Sequence, residues 1–387
     1  MARAALARIA DTRVTDDAPR SPVLGPRYYT DPAAYALEVR RVFHAGWLYA
    51  GHESQLARPG DYRPVKLLDE PIIVARDRDG AIVAFCNVCA HRAMKLVAEP
   101  GHGMTIRCPY HGWVYDLGGR LVAARETRAM PDFDVAKVCL PRVAVTVRHG
   151  FVFVNLDGHA APIDESVGAM LDEVPKVGLD PARLRLAKVV DYDLATNWKI
   201  AVENYLECYH CPVAHPGFVD AVIYEQAYAR ETEACVFAAA PPKPELARTF
   251  KARRDAAGYP HVAEMRYDWA WPNAMILLGW AAVPHVLLWQ ILPVGPERTI
   301  FRHHFLFYDG VEDAEHDELI AGIDALQRED NGLLEGVFEG VKSQGFRGGG
   351  RYVIDHQASY RGEAGVHLFH RRLQGIYDEA GIGVRDG

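Results

Sequence analysis

Two hydrophobic periodicities divide this chain. From Asp31 the apolar residues Tyr35, Ala36, Val39, Val42 and Phe43 recur at helical spacing, which predicts a helix over 33–43. Between 60 and 160 the pattern changes to short β-prone runs at 72–75, 81–85, 143–147 and 151–155. Asp79-Gly80, Gly118-Gly119 and His149-Gly150 punctuate them as turns, so this stretch reads as a small antiparallel β domain. Ala161-Pro162 breaks the pattern. Beyond it, 236–240, 275–278, 286–292 and 299–308 read as strands, and 194–211 and 313–344 as helices, the latter weakened by Gly332, Gly336 and Gly340. The division is an N-terminal arm and helix over 1–45, a β domain over 46–160 and an α+β domain over 161–387, with the arm and helix packing on this last segment. Residues 1–28, with Pro19, Pro22 and Pro26, form the irregular arm.

Composition narrows the class. The chain has 387 residues, 49% of them hydrophobic, enough for two domains with proper cores. Its net charge of −8 argues against nucleic acid or an anionic membrane as the main partner. No apolar run approaches the roughly 20 residues that span a bilayer. The segment 1–14 is Ala- and Arg-rich, lacks the apolar centre of a secretory signal, and reads as a loose end. Seven cysteines is an odd number, and a reducing cytoplasm suits them better than a disulfide framework.

The sharpest chemistry lies in the β domain. Cys89-Ala90-His91 and Cys108-Pro109-Tyr110-His111 stand sixteen residues apart. Two thiolates and two imidazoles so spaced suit a Rieske [2Fe–2S] cluster, in which one iron takes both Cys and the other both His. The competing arrangement is a Cys₃His zinc site of Cys86, Cys89, Cys108 and His111, which would leave His91 without a role.

The run 85–92 and the run 108–116, Cys-Pro-Tyr-His-Gly-Trp-Val-Tyr-Asp, resemble the Rieske domain of the Rieske non-haem iron oxygenases. These are the catalytic subunits of aromatic-ring-hydroxylating dioxygenases and related monooxygenases. The resemblance extends over about 29–369 and implies an α+β architecture, a small antiparallel Rieske domain followed by a helix-grip catalytic domain. Two imidazoles and a carboxylate form the facial triad of non-haem Fe(II) oxygenases, and Glu207, His210 and His215 occur together here. By resemblance His210 and His215 bind the mononuclear iron, and Asp330, in Glu329-Asp330-Asn331-Gly332, is the third ligand. Glu329, Asp324 and Glu335 are its rivals. The family usually has Gln where this chain has Phe338, a change placed near the iron. Glu207, on one helix face with His210, takes the family's bridging position, which joins a cluster His of one subunit to an iron-ligand His of its neighbour. Cys208 and Cys211 form a CxxC, read as packing residues on the same helix.

The resemblance further implies a homo-oligomer, usually a trimer, and a separate flavin/iron–sulfur reductase or ferredoxin that passes on electrons from NAD(P)H. Gly-rich 345–350 lacks the strand-to-helix setting of a dinucleotide loop and reads as a surface turn. Trp269, Trp271, Asn273 and Trp289 concentrate indoles in the strand region, and indole faces attract quaternary ammonium groups. Together with Glu207 they point to a betaine-like small substrate that is N-demethylated with O₂. The alternatives are hydroxylation of an aromatic ring or acid and, in another class, a non-catalytic helix-grip binding module with structural zinc.

Overall fold

The computed structural model describes residues 13–262, 264–346, 348, 350–354 and 361–381. Residues 1–12, most of the expected loose end, lie outside these, as do Arg347 and Gly349 of the glycine-rich stretch.

The β domain is three small antiparallel sheets. Trp47–His52 pairs with Phe151–Asn155, which pairs with Ala144–Arg148, so the first and last strands close on each other. Ile82–Cys86, Glu70–Arg76, Asp61–Leu67 and Gly101–His102 form a second sheet, and Thr105–Arg107, Val114–Asp116 and Leu121–Ala123 a third. All four β runs expected here are strands, shifted by at most a residue or two. The expected N-terminal helix is present as Pro32–Glu38, opened by the Asp31 carboxylate on the Ala33 N–H (2.8 Å), and continues as a π-helical turn, Val39–His44.

The second half is built on a seven-stranded antiparallel sheet. Its order is Leu184–Leu194, Arg298–Tyr308, His285–Gly295, Ala274–Leu278, Met265–Ala270, Cys235–Ala240 and Tyr228–Glu231. Almost every residue of His285–Gly295 is buried, as its apolar residues, interrupted only by a buried Gln290, require of a central strand. Leu184–Leu194 lies at the sheet edge. Cross-strand pairs Arg298–Asp193 and Arg302–Asp191 fasten it, and its exposed charges blunt the open edge. The 30-residue helix Asp313–Lys342 runs unbroken, although Gly322, Gly332, Gly336 and Gly340 lie within it.

The N-terminal helix is tied to this half by a buried polar knot. Glu38 and Lys199 are fully buried and 2.8 Å apart; the Trp198 indole N–H donates to the same carboxylate at 2.6 Å, and the Tyr377 hydroxyl also donates to it. Burial pulls the Lys199 pKa down while Glu38 opposes it. Removing one partner strands the other in an apolar core. Glu38→Ala is therefore expected to cost about 3–5 kcal/mol of stability, read as a lowered midpoint in thermal or denaturant unfolding. A midpoint equal to the parent protein's would refute this role.

Candidate metal centres and active-site cavity

Two loops of matching hydrogen-bond pattern carry the Cys and His residues of the β domain. In the first, the Cys89 N–H donates to the Met94 carbonyl (2.8 Å) and the Ala93 N–H to the Cys89 carbonyl (3.0 Å). In the second, the Cys108 N–H donates to the Trp113 carbonyl (2.7 Å) and the Gly112 N–H to the Cys108 carbonyl (3.1 Å). Both loops reverse at the fourth residue after the cysteine, where Ala93 (φ 55°) and Gly112 (φ 74°) are left-handed. Cys89 and Cys108 are buried, whereas His91 and His111 sit towards solvent with ring centroids 4.5 Å apart. The Tyr115 hydroxyl lies 3.2 Å from Cys89 Sγ, and Trp113 stacks on His91 at 4.8 Å. Inner thiols and outer imidazoles fit a two-iron cluster with one iron at each end. Cys86 packs against the large core, while Cys89 and Cys108 belong to the separate core beneath the loops, so the zinc grouping is not assembled.

The second centre forms where a helix stops. Asn197 caps Trp198–Tyr205 through its side chain on the Lys199 N–H (3.1 Å), and the helix ends at Tyr205 instead of running to 211 as expected. Glu207 and His210 thus share a turn, not a helix face. One Glu207 oxygen accepts the Tyr209 and His210 backbone N–H groups, and the other lies 2.6 Å from His210 Nδ1. The turn leaves those amides without helical partners, and the carboxylate supplies the missing acceptor. Cys208 and Cys211 are packing residues, as expected, buried together in one core cluster. But Cys208 lies in the turn past the helix Trp198–Tyr205, Cys211 opens a short second helix, Cys211–Ala214, and a disulfide joins the two.

Asp330, on Asp313–Lys342, meets this turn. Its Oδ1 is 3.0 Å from His215 Nε2 and 3.7 Å from His210 Nε2, and the ligand atoms of His210, His215 and Asp330 all lie within 4.8 Å of one another. That is the donor set and compactness of a facial-triad iron site. The rivals are engaged elsewhere. Asp324 binds the Tyr192 hydroxyl (2.7 Å) and Arg328 (2.8 Å), and Glu335 accepts the Ala195 N–H (2.9 Å). Glu329 does take part, on the far side of the ring, 2.7 Å from His215 Nδ1. Burial alone would lower the His215 pKa, but Asp330 and Glu329 outweigh it and hold it above the usual imidazole range. Asn204, which the sequence reading missed, donates to Asp330 Oδ1 at 3.1 Å. Phe338 is buried in the large core with the Lys342 ammonium over its ring at 4.5 Å, and lines neither cavity beside the site.

A small inner cavity of about 60 Å³ opens on His210, His215 and Asp330. Its walls are aromatic: Tyr205, Phe218, Tyr267, Trp280, Trp289 and Phe301. Of the residues expected at the substrate, only Trp289 is here, its indole stacked face to face on His303 at 4.1 Å. Trp269 and Trp271 pack on each other and on Phe369 of the helix Ala364–Glu379, and Asn273 donates to the Ile291 carbonyl, so none of the three lines either cavity. Tyr267 and Trp269 share one face of their strand, but the covering helix claims the second. Tyr267 and Trp280 were missed for want of a local motif. Among the described residues no helix is long and apolar enough to cross a membrane.

Fold and sites together define a two-centre iron oxygenase, a Rieske domain joined to a helix-grip domain whose sheet and long helix enclose the second centre. The chain matches the Rieske [2Fe-2S] domain family over residues 46–135 and the ring hydroxylating alpha subunit (catalytic domain) family over residues 181–379. It is 33% identical over 360 residues to the carnitine monooxygenase oxygenase subunit of Escherichia coli (strain K12), spanning 91% of this chain and 93% of that protein. It is 30% identical over 358 residues to the chloroplastic choline monooxygenase of Spinacia oleracea, spanning 90% and 76%. A solved quaternary ammonium Rieske monooxygenase in complex with L-carnitine shares the fold with a TM-score of 0.82 at 27% identity, covering 93% of this chain and 97% of its own. The chain belongs to the Rieske non-haem iron oxygenases, as a ring-hydroxylating alpha subunit. It is an oxidoreductase with a [2Fe–2S] cluster and a mononuclear iron, supplied with electrons by a separate reductase, and the reading as a non-catalytic zinc module is set aside.

Proposed function

We propose that this oxygenase hydroxylates an N-methyl group of a quaternary ammonium compound, which is then lost as formaldehyde. The carrying observation is the aromatic inner cavity against the triad, where, among the described residues, six rings and no lysine or arginine stand beside His210, His215 and Asp330. Ring faces attract a quaternary cation by roughly 0.5–2 kcal/mol each, and relatives named for carnitine and choline support the same substrate class. In this reading Cys89, His91, Cys108 and His111 hold the cluster, and His210, His215 and Asp330 hold the iron. When bound, the two centres supply electron relay and O₂ activation. Glu207 and Glu329 fix the tautomers of His210 and His215, Asn204 orients Asp330, and Tyr205, Tyr267, Trp280 and Trp289 seat the cation and exclude water.

The assembly proposed is a head-to-tail homotrimer in which His111 of one subunit meets Glu207 of the next. Its support is a pair of exposed apolar patches: Met94, Met104 and Tyr110 around the cluster loops, Tyr209 and Val213 around Glu207. A reducing cytoplasm is the proposed compartment, with a flavin/iron–sulfur reductase or a ferredoxin as donor.

The purified protein is expected to be red-brown with about three irons per chain, two in the cluster and one mononuclear. With a surrogate reductase it should release formaldehyde from a quaternary ammonium substrate in step with O₂ uptake. Stoichiometric zinc without visible absorbance, or turnover confined to aromatic acids, would refute this reading.

A further inference from the structure

A second, larger cavity of about 400 Å³ lies beside the inner one, and Phe218, Trp280 and Leu326 line both. One stripe of the helix Asp313–Lys342, through Leu319, Gly322, Leu326 and Asp330, runs along both, so Gly322 lies about 12 Å along the axis from Asp330. The chamber is far bigger than a methylammonium head requires, and its lining is mostly apolar, with Leu246, Phe250, Met265, Val283 and Ile323 on the wall and Arg253, Glu315, Glu318 and Glu329 as its charged members.

Small residues make that volume. Gly217 and Gly322 line the chamber, and a Cβ built on either would meet nothing within 4 Å. Glycine weakens a helix interior relative to alanine, and Gly322 sits mid-helix where a side chain would fit and would reduce the chamber. The one lysine or arginine of the lining, Arg253, is held by Glu318 (3.3 Å) and Glu315 (3.5 Å), so its charge is more than matched. With Glu329 also on the wall, nothing here among the described residues offers a carboxylate an unshared cation.

We infer that this chamber receives the substrate's far end, and that the end is an uncharged apolar group, an alkyl chain or an aryl ring, instead of a carboxylate. The inference rests on the quaternary ammonium reading of the inner cavity and narrows it. Apolar area removed from water strengthens binding by up to about fourfold per methylene.

Calorimetric titration of the as-isolated protein with tetramethyl-, butyl-, hexyl- and octyltrimethylammonium, below their micellar concentrations, tests it. Affinity should rise at least about tenfold from butyl to octyl, and L-carnitine should bind more weakly than hexyltrimethylammonium. Gly322→Leu should cut the octyl-to-tetramethyl affinity ratio at least about fivefold; Ala325→Leu serves as a second filling variant should the first unfold. A flat series, or carnitine bound above all alkyl compounds, would overturn the inference. The underlying reading fails differently. If neutral analogues with tert-butyl in place of trimethylammonium follow the same trend with equal affinity, and no formaldehyde is released from any cation, the chamber is apolar-selective but the head site is not cationic.

Discussion

Asp330→Ala is expected to yield a folded, red-brown protein with about two irons per chain instead of three, and no measurable turnover. Asp330 brings the only carboxylate oxygen within reach of both His210 Nε2 (3.7 Å) and His215 Nε2 (3.0 Å) among the described residues. Without it two imidazoles face an open cavity, and two neutral donors bind a divalent ion far more weakly than two donors and a carboxylate. The cluster loops share no residue with this site, so the visible spectrum should persist. Glu329→Ala gives the graded comparison. That carboxylate touches His215 at Nδ1 (2.7 Å), not a coordination position, and its loss should lower iron affinity or activity about 10- to 100-fold. Glu335→Ala should leave both at parent levels, since Glu335 serves the Ala195 N–H. Iron analysis by mass spectrometry and product formation decide the order. Full iron and full turnover in Asp330→Ala would move the third ligand elsewhere.

The parts legible in the sequence were those with short-range causes. Runs such as Phe151–Asn155 are short, apolar on both faces, rich in β-branched and aromatic residues and preceded by a His149-Gly150 turn, which together mark a buried strand. The Cys-His pairs were legible because the loop geometry is local: each loop closes on its own cysteine within five residues. Leu184–Leu194 escaped because it is an edge strand, its apolar pattern interrupted by Arg185, Lys188, Asp191 and Asp193, whose partner lies more than a hundred residues on. The end of the ligand helix escaped for a related reason. Apolar spacing continues past Tyr205, but the Glu207 carboxylate caps the turn more cheaply than another helical turn would, and the Cys208–Cys211 bridge closes it.

The aromatic cavity wall was legible only in part. Indoles mark large apolar surfaces without saying which cavity they face. Trp289 belongs to a strand running under the inner cavity, whereas Trp269 and Trp271 lie beneath Ala364–Glu379, a helix the sequence pattern did not predict. Tyr267 lies on the strand Met265–Ala270 and Trp280 in the bend that follows Ala274–Leu278, and they meet Phe218 only in three dimensions.

Glu207→Leu is expected to leave both centres loaded and the cluster reducible, and to slow oxidation of the reduced cluster by substrate and O₂ about 10- to 100-fold. The carboxylate sits 2.6 Å from His210 Nδ1, which supplies one end of the proposed relay. If the other end is His111 of the neighbouring subunit, Leu removes the hydrogen-bonded link while roughly keeping its bulk. Glu207→Gln should fall between, because an amide still bonds to an imidazole but holds the tautomer less firmly. Loss of the turn itself is the competing effect, since the same carboxylate accepts the Tyr209 and His210 N–H groups; unchanged iron content in Glu207→Leu separates the two. A mixing experiment then asks whether transfer crosses between subunits. Glu207→Leu keeps its cluster, and His111→Ala keeps Glu207 and its iron site. In a head-to-tail ring formed from equal amounts of both, about a quarter of contacts pair an intact cluster with an intact Glu207. Roughly that share of parental activity should return on mixing and reassembly. Two inactive variants that stay inactive together would mean that transfer runs within one chain, and the ring would then lose its purpose.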